Sequence, residues 1–406
     1  MSIISENIAE LVRNGIINIK GVILWGISVN SNEVIEELKK NEIRIHFIVD
    51  NFKREFWSEY SGINIEESSI FMNGEYNDIP VLIGGNYTQS IRKQLHAYGV
   101  HKVYNFLDLE ERNGFYQYDI NYGFDDRSRG KEYLCYILAG YEPELWQCTL
   151  TRIASYYDER VDVCLVSSGK YDEKLDQIAT INGWSYLYTD NNQVCFAQNK
   201  VLELHPLAKY VIKMDEDMFI GEDFFDMMIS GYNDVRKNGE YRINFVVPVI
   251  PLNCNGYVSY LDTINKKAEY EGRFGRAYRN RFSAIFSVAE TAEYLWDTMT
   301  TFDEMAKRFS SEKGWRICDC YFNIGCIMYS RERWLLMGKW PEKENDNGMG
   351  TDEKTIYDDG VEKDLSVYEL KNVLVGHLAF GHQKSKMMNY FRNNRRKFER
   401  EELHKI

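Results

Sequence analysis

Short apolar runs alternate with helix-spaced segments in two successive series along this chain, and that alternation restricts it to folds built on a largely parallel sheet. GVILWG at 21–26 reads as a strand. In the following ISVNSNEVIEELKKNE, Val34, Ile35 and Leu38 recur at helical spacing, and IRIHFIVDN at 43–51 is the next strand. IPVLIGG (79–85), a helix over TQSIRKQLHAYG and a strand at HKVYNFL complete the first series. Residues 121–131 are polar and Gly-punctuated, as a linker would be. The second series runs through YLCYILAGY, VDVCLVSSG and WSYLYTD to KYVIKMDEDMF, whose acids fall at the carboxyl end of a strand. The expected organisation is an accessory domain over 1–120, a linker over 121–131, a main domain over 132–385 and a basic helix over 386–406.

Composition narrows the function. A net charge of −13 opposes general nucleic-acid binding, which needs a basic surface to neutralise phosphates. An acidic protein can still take an anionic substrate where a metal or a local basic patch supplies positive charge. The 8 Cys show no CxxC pair, and Cys318-Asp319-Cys320 suits neither a zinc knuckle nor a redox motif. Cys135 and Cys164 lie in apolar runs and read as small buried residues of a reducing compartment. The segment MSIISENIAELVRNG carries acids and lacks the apolar core of a signal peptide, and no run reaches the roughly 20 apolar residues of a membrane span. A cytoplasmic protein is expected. The tail 384–406 sets Met387, Met388, Phe391, Phe398 and Leu403 among basic residues that include Lys384, Lys386, Arg392, Arg395, Arg396, Lys397 and Arg400. It is open to two readings, a terminal helix packed through its aromatics or a peripheral contact with the inner face of the membrane. Self-association is also open.

The triplet Asp215-Glu216-Asp217 is the strongest chemical feature. Ligands of open α/β sheets bind beyond the carboxyl ends of the strands, and hard carboxylate oxygens there suit Mg²⁺ or Mn²⁺. The spacing alone also fits a solvated turn. Its context is more specific: QVCFAQNKVLELHPLAKYVIKMDEDMF resembles the nucleotide-binding half of GT-A glycosyltransferases, close to the large inverting family that includes bacterial polysaccharide synthases. In that family an Ala-x-Asn starts a helix, and the next strand ends in Asp-x-Asp. Ala197, Asn199, Asp215 and Asp217 match that pattern.

The resemblance implies an α/β fold with a GT-A type sheet, preceded by a small Rossmann-like domain. It implies that Asp215 and Asn199 contact the nucleoside and that Asp217 holds Mn²⁺ or Mg²⁺. Ala139, Gly140 and Tyr141 would lie beside the base. The family's acid after the second strand is replaced by Ser167-Ser168-Gly169, which leaves the choice of base open. Downstream, FNIGCIMYSRERWLLMGKWPE and GMGTDEKTIYDDG resemble the acceptor side. Gly325 would admit a sugar close to the backbone. Asp352 and Glu353 match, in reversed order, the acidic pair that supplies a general base, with Asp352 preferred. In VLVGHLAFGHQK, His377 rather than His382 is the expected additional metal ligand. Lys170, Lys213 and the run Arg273, Arg276, Arg279 and Arg281 are candidates for phosphate.

The expected activity is transfer of a sugar from a nucleoside-diphosphate sugar, a UDP-sugar favoured, to a glycan or lipid-linked acceptor in bacterial surface-polysaccharide biosynthesis. A sugar nucleotidyltransferase or a non-catalytic nucleotide-sugar scaffold are the alternatives. In the first series, Gly26-x-Ser28-x-Asn30-Ser31 keeps one glycine of a dinucleotide fingerprint, with Asp50 where a ribose-binding acid could stand. An assembly or acceptor-positioning role fits that domain better than dinucleotide binding.

Overall fold

The computed structural model describes residues 2–28, 30–51, 53–55, 57–84, 88–107, 120–280, 283–318, 322–342 and 351–400. Arg281, Asp319, Cys320, the Gly348–Gly350 stretch and Leu403 lie outside the described residues. The chain divides into two compact units: 1–117 with 332–340, and 118–331 with 341–406.

The first unit carries strands β1 (Val22–Trp25), β2 (Ile45–Val49), β3 (Glu59–Tyr60), β4 (Ile63–Glu66), β5 (Val81–Ile83) and β6 (Val103–Asn105). Their order in the sheet is β3-β4-β2-β1-β5-β6. All pairs are parallel except the β3–β4 edge. The order reverses beside β1, as in a doubly wound Rossmann-like sheet. Val34, Ile35 and Leu38 are buried as their spacing requires. The helix Arg331–Leu336 and the residues after it belong largely to this unit, with Trp334, Leu335, Met337 and Trp340 buried. Gly338, at φ +78°, lets that segment lie where a Cβ would stand 2.8 Å from the Gln94 amide nitrogen.

The second unit carries β7 (Tyr122–Asp125), β8 (Tyr133–Leu138), β9 (Val161–Ser167), β10 (Ser185–Thr189), β11 (Tyr210–Asp215), β12 (Met218–Ile220), β13 (Ile243–Val249), β14 (Trp315–Ile317), β15 (Cys326–Ser330) and β16 (Ser366–His377). The sheet runs β12-β16-β13-β15-β11-β8-β9-β10-β7, with β14 beside β16. Strands β8 to β11 are mutually parallel. β15 is antiparallel to both β11 and β13, so β13 and its parallel partner β16 run with β11. The carboxyl ends of β8, β9, β11, β13 and β16 therefore share one edge of the sheet. The fold class is the expected one, a mixed α/β sheet preceded by a smaller α/β sheet.

The expected linker is corrected in part. Residues 122–125 form edge strand β7, antiparallel to β10. Gly123 permits this, because a Cβ there would meet the Tyr188 ring at 2.3 Å. The basic tail forms the helix Lys384–Asn393 and a short 3₁₀ turn. Met387, Phe391 and Phe398 are fully buried in the core around Trp296 and Phe219. The buried Arg152 moors this tail by donating to the carbonyls of Phe398 and Glu399 while pairing with Asp303. These apolar residues are thus taken up by packing, which is the first of the two readings of the tail. Among the described residues no helix is long and apolar enough to cross a membrane.

Candidate active site

The strand β11 delivers Lys213 and Asp215 to the same face, two residues apart. Lys213 is buried, and its ammonium donates to Asp215 Oδ1 at 2.7 Å and to the Ile324 carbonyl at 2.9 Å. Burial pulls the Lys213 pKa down, but the carboxylates of Asp215, Asp352 and Glu353 outweigh it and leave it raised. Asp215 keeps 38% of its side-chain surface open. Desolvation, with the charges of Asp217 and Asp352, raises its carboxyl to about 6 against the pull of Lys213. Lys213 is therefore an internal counter-ion for Asp215, not the free phosphate ligand considered from the sequence.

The middle acid has a separate task that its place in the triplet does not signal. The Glu216 carboxylate is buried and accepts from the backbone N–H groups of Gly140 at 3.0 Å and Tyr141 at 2.9 Å, and from the Trp146 indole. It fixes the loop after β8, which follows a left-handed path at Gly140 (φ +144°), where a Cβ would stand 2.8 Å from Ser167 Oγ. The Gly140 and Tyr141 amides are thus spent on Glu216.

Asp217 meets His377 because β12 pairs with the end of β16, Met218 lying opposite His377. Asp217 Oδ2 and His377 Nε2 are 3.1 Å apart. His377 Nδ1 lies 2.8 Å from the Leu252 carbonyl, which orients the ring. Burial lowers the His377 pKa, but Asp217, the Leu252 carbonyl and Asp215 together raise it to about 9. His382 has no such contact with the triplet among the described residues; His377 is the one brought to it. Among the described residues no three His, Cys, Asp or Glu side chains converge as a metal-binding group.

The acidic pair lies at the start of the helix Thr351–Glu362. Asp352 is buried, accepting from Gln198 Nε2 at 2.9 Å and from the Glu353 amide at 2.8 Å. Gln198 accepts from the Tyr136 hydroxyl, which itself meets Tyr329. Glu353 accepts from Asn323 Nδ2 at 3.1 Å and the Ile324 amide at 3.2 Å, and is less buried than Asp352. Asp352 and Glu353 thus join Asp215 in one electrostatic cluster around Lys213. Gly325 links the two sides, its carbonyl accepting from the Asp215 amide at 2.8 Å. A Cβ at Gly325 would stand 2.1 Å from Met218 Cε and 3.4 Å from Asp215 Oδ2, so the close neighbour here is Met218.

Within the helix Val194–Leu204, Gln198 is the residue that reaches the acidic pair, while Asn199 donates to Glu342. On the other side, Ala139 is buried and its amide donates to the Val166 carbonyl at 2.9 Å. Ser167 and Ser168 are buried at the end of β9, and among the described residues the Ser168 hydroxyl has no hydrogen-bond partner. The exposed Tyr141 donates to the Ser168 carbonyl at 2.6 Å. Lys170 stands 4.9 Å from the centre of the Tyr141 ring, with Asp172 at 3.7 Å. Arg273 is engaged on its own helix with Glu269 at 2.8 Å.

Comparison with known proteins adds little detail. A family described as C2185-like, N-terminal, matches residues 18–104. No curated protein matches the chain. Among solved structures, GalNAc-T7 with UDP, GalNAc and Mn²⁺ aligns with a TM-score of 0.36 at 12% identity, over 62% of this chain and 45% of that one. The mannosyltransferase PcManGT from Pyrobaculum calidifontis, in complex with GDP-Man and Mn²⁺, gives 0.36 at 12%, over 62% and 58%. TarS of S. aureus gives 0.25 at 11%, over 29% and 21%. The chain spans less than two thirds of each of these structures. The likeness is coarse at these scores.

Proposed function

We propose that this chain is a metal-dependent glycosyltransferase. It moves a sugar from a nucleoside-diphosphate sugar, a UDP-sugar favoured, to a glycan or lipid-linked acceptor in bacterial surface-polysaccharide assembly, by a single displacement with inversion. The observation that carries this reading is the meeting of Asp217 with His377 beside Asp215, at the sheet edge where Asp352 and Glu353 also arrive. An arrangement of that kind brings a cation site and a carboxylate base to one place, which sugar transfer from a diphosphate requires.

Asp217 and His377 would hold the metal. One carboxylate and one imidazole suit Mn²⁺ better than Mg²⁺, which prefers an all-oxygen shell. Such an ion, when bound, neutralises the charge of the leaving diphosphate. Asp215, held in place by Lys213 and the Gly325 carbonyl, faces the nucleoside. The loop 139–141 and the Ser168 hydroxyl flank the base. Both carboxylates are hydrogen-bonded through both oxygens, but Asp352 is buried and Glu353 is more accessible, so we assign the base to Glu353, reversing the preference drawn from the sequence. The acceptor oxygen attacks the anomeric carbon, its proton passes to the Glu353 carboxylate, and the nucleoside diphosphate leaves. Asn323 and the Ile324 amide orient that carboxylate. Asp352, tied to Gln198, positions the helix start that carries it.

Incubation with Mn²⁺ and a panel of nucleotide-sugars tests the reading. Slow donor hydrolysis releasing a nucleoside diphosphate is expected, and Glu353→Gln should lower acceptor-dependent transfer far more than it lowers donor binding. Formation of a nucleoside triphosphate from pyrophosphate would instead indicate a nucleotidyltransferase. Binding with no product, with acceptors supplied, would indicate a scaffold.

A further inference from the structure

The loop 250–255 follows β13 at the same sheet edge as the acidic cluster, yet the donor site uses none of its side chains. It is pinned at both ends of that cluster. The Leu252 carbonyl accepts from His377 Nδ1, and Asn253 Nδ2 donates to the carbonyl of Asn323, the residue that holds Glu353. Asn253 Oδ1 accepts from the Asn255 amide at 2.9 Å and so fixes the next side chain in line. Asn255 is 0% exposed. Its Oδ1 accepts from Arg279 Nε at 3.1 Å, while its Nδ2 has no hydrogen-bond partner among the described residues. A fold rarely leaves a buried donor unsatisfied, and an oxygen of a bound group would satisfy this one.

The surroundings favour an anionic oxygen. The Arg279 side chain keeps 32% of its surface, and its paired carboxylate, Asp262, stands off at 4.0 Å, so the outer guanidinium nitrogens retain capacity. The exposed Arg276 guanidinium lies 4.9 Å from the centre of the Tyr278 ring, which is itself 49% exposed. The Tyr278 carbonyl accepts from Tyr257 at 2.6 Å, which anchors this stretch to the core. The segment 276–279 thus carries two guanidinium groups and a half-exposed aromatic ring, and its Arg279 reaches the Asn255 side chain, on a chain whose net charge is −13. Such a local reversal of sign attracts anions that the rest of the surface repels. Guanidinium forks match carboxylate and phosphate oxygens, and aromatic faces match the apolar face of a pyranose.

Building on the transferase reading, we propose that Asn255, Arg279, Arg276 and Tyr278 form an acceptor subsite for an acidic sugar unit. A carboxylate or phosphate substituent is held by Arg279 and the Asn255 amide, and the sugar ring rests on Tyr278. The test is ligand-observed NMR titration of the full chain with methyl glucuronide, glucose 6-phosphate and the neutral methyl glucoside, alongside UDP with Mn²⁺. The anionic probes should bind at least about tenfold more tightly than the glucoside, which corresponds to a single well-made charged contact. Tighter binding by the uronide or by the phosphate tells which substituent the site takes. Arg279→Gln should erase the preference and Arg279→Lys should keep part of it. Asn255→Asp should also erase it, by closing Arg279 in an internal ion pair. Arg279 is partly exposed, so its variants stay informative even if Asn255→Asp fails to fold. Equal binding of all three probes, or a preference that survives Arg279→Gln, overturns the subsite. If UDP with Mn²⁺ also fails to bind, the transferase reading falls; if it binds normally, only the subsite does.

Discussion

In the first unit, the acid at the carboxyl end of β2, Asp50, spends one oxygen on the Ile27 amide at 3.0 Å and the other on the Lys53 amide at 2.9 Å. In the second unit, Glu216 treats the loop after β8 in the same way, taking the Gly140 and Tyr141 amides. Each carboxylate thus takes up backbone N–H groups of a first crossover loop that could have cradled a phosphate, one (Ile27) in the first unit and two in the second. In the first unit the Ser28 amide is also taken, by Ser31 Oγ, and only one fingerprint glycine remains. The second unit adds Asp215 and Asp217 on either side of its loop-holding acid, and brings His377, Asp352 and Glu353 to meet them. Similar topology thus gives an internally satisfied crossover loop in one case and, in the other, an acidic cluster with chemistry to offer. What separates them is the extra acids, and not the sheet.

The largest effect that tests this contrast is at Asp217. Asp217→Asn keeps size but gives up the charge facing His377, and Mn²⁺-dependent donor turnover should fall at least about 100-fold. Thermal unfolding should stay near wild type. Retained activity would remove the metal assignment and make the two units more alike than proposed. Glu216→Ala is expected to show the reverse balance. It strands two backbone donors and an indole in a buried place, costing on the order of 3 kcal/mol in a urea unfolding curve. Loss of activity without loss of stability there would mean that Glu216 belongs to the chemistry. Asp50→Ala removes the equivalent clamp from a less buried position, so a cost of about 1–2 kcal/mol is expected. Donor turnover should be unchanged, and a fall in turnover would tie the first unit to the reaction.

Much of this was legible in the sequence where the signal is local. The alternation of apolar runs placed β1, β2, β5 and β8 to β11, and the strand KYVIKMD put Asp215 at a carboxyl end. His377 was legible only through the family pattern, because its approach to Asp217 depends on β12 pairing with β16 across about 160 residues. The job of Glu216 left no trace, since an acid inside an acidic triplet looks the same whether it faces ligand or its own backbone. Gln198 was passed over for Asn199 for a related reason: both are buried amides on one helix, and only the fold shows which of them reaches Asp352. Strand β7 was read as a linker because its glycine looks like a turn residue. In fact that glycine makes room for the Tyr188 ring. The segment 332–340 could not be assigned to the first unit from sequence, because its partners lie more than 200 residues away.

The smallest effect sharpens the comparison most, because it concerns geometry without charge. Gly325 was expected to admit a sugar, whereas its close neighbour is Met218, at the base of β12. Alanine there would meet Met218 Cε at 2.1 Å, the far end of a flexible side chain, and Asp215 Oδ2 at 3.4 Å, an ordinary approach. Met218 must move, and Asp217 sits next to it in the chain. Gly325→Ala should therefore weaken Mn²⁺ dependence a few-fold, by roughly 1 kcal/mol, the usual scale for a mild overpacking. Pairing it with Met218→Ala relieves the clash and should restore most of the loss. If the glycine instead admits a sugar, the second substitution gives no rescue and the deficit appears in the donor KM with metal affinity unchanged. The double variant therefore separates a glycine that seats β12 from one that touches substrate.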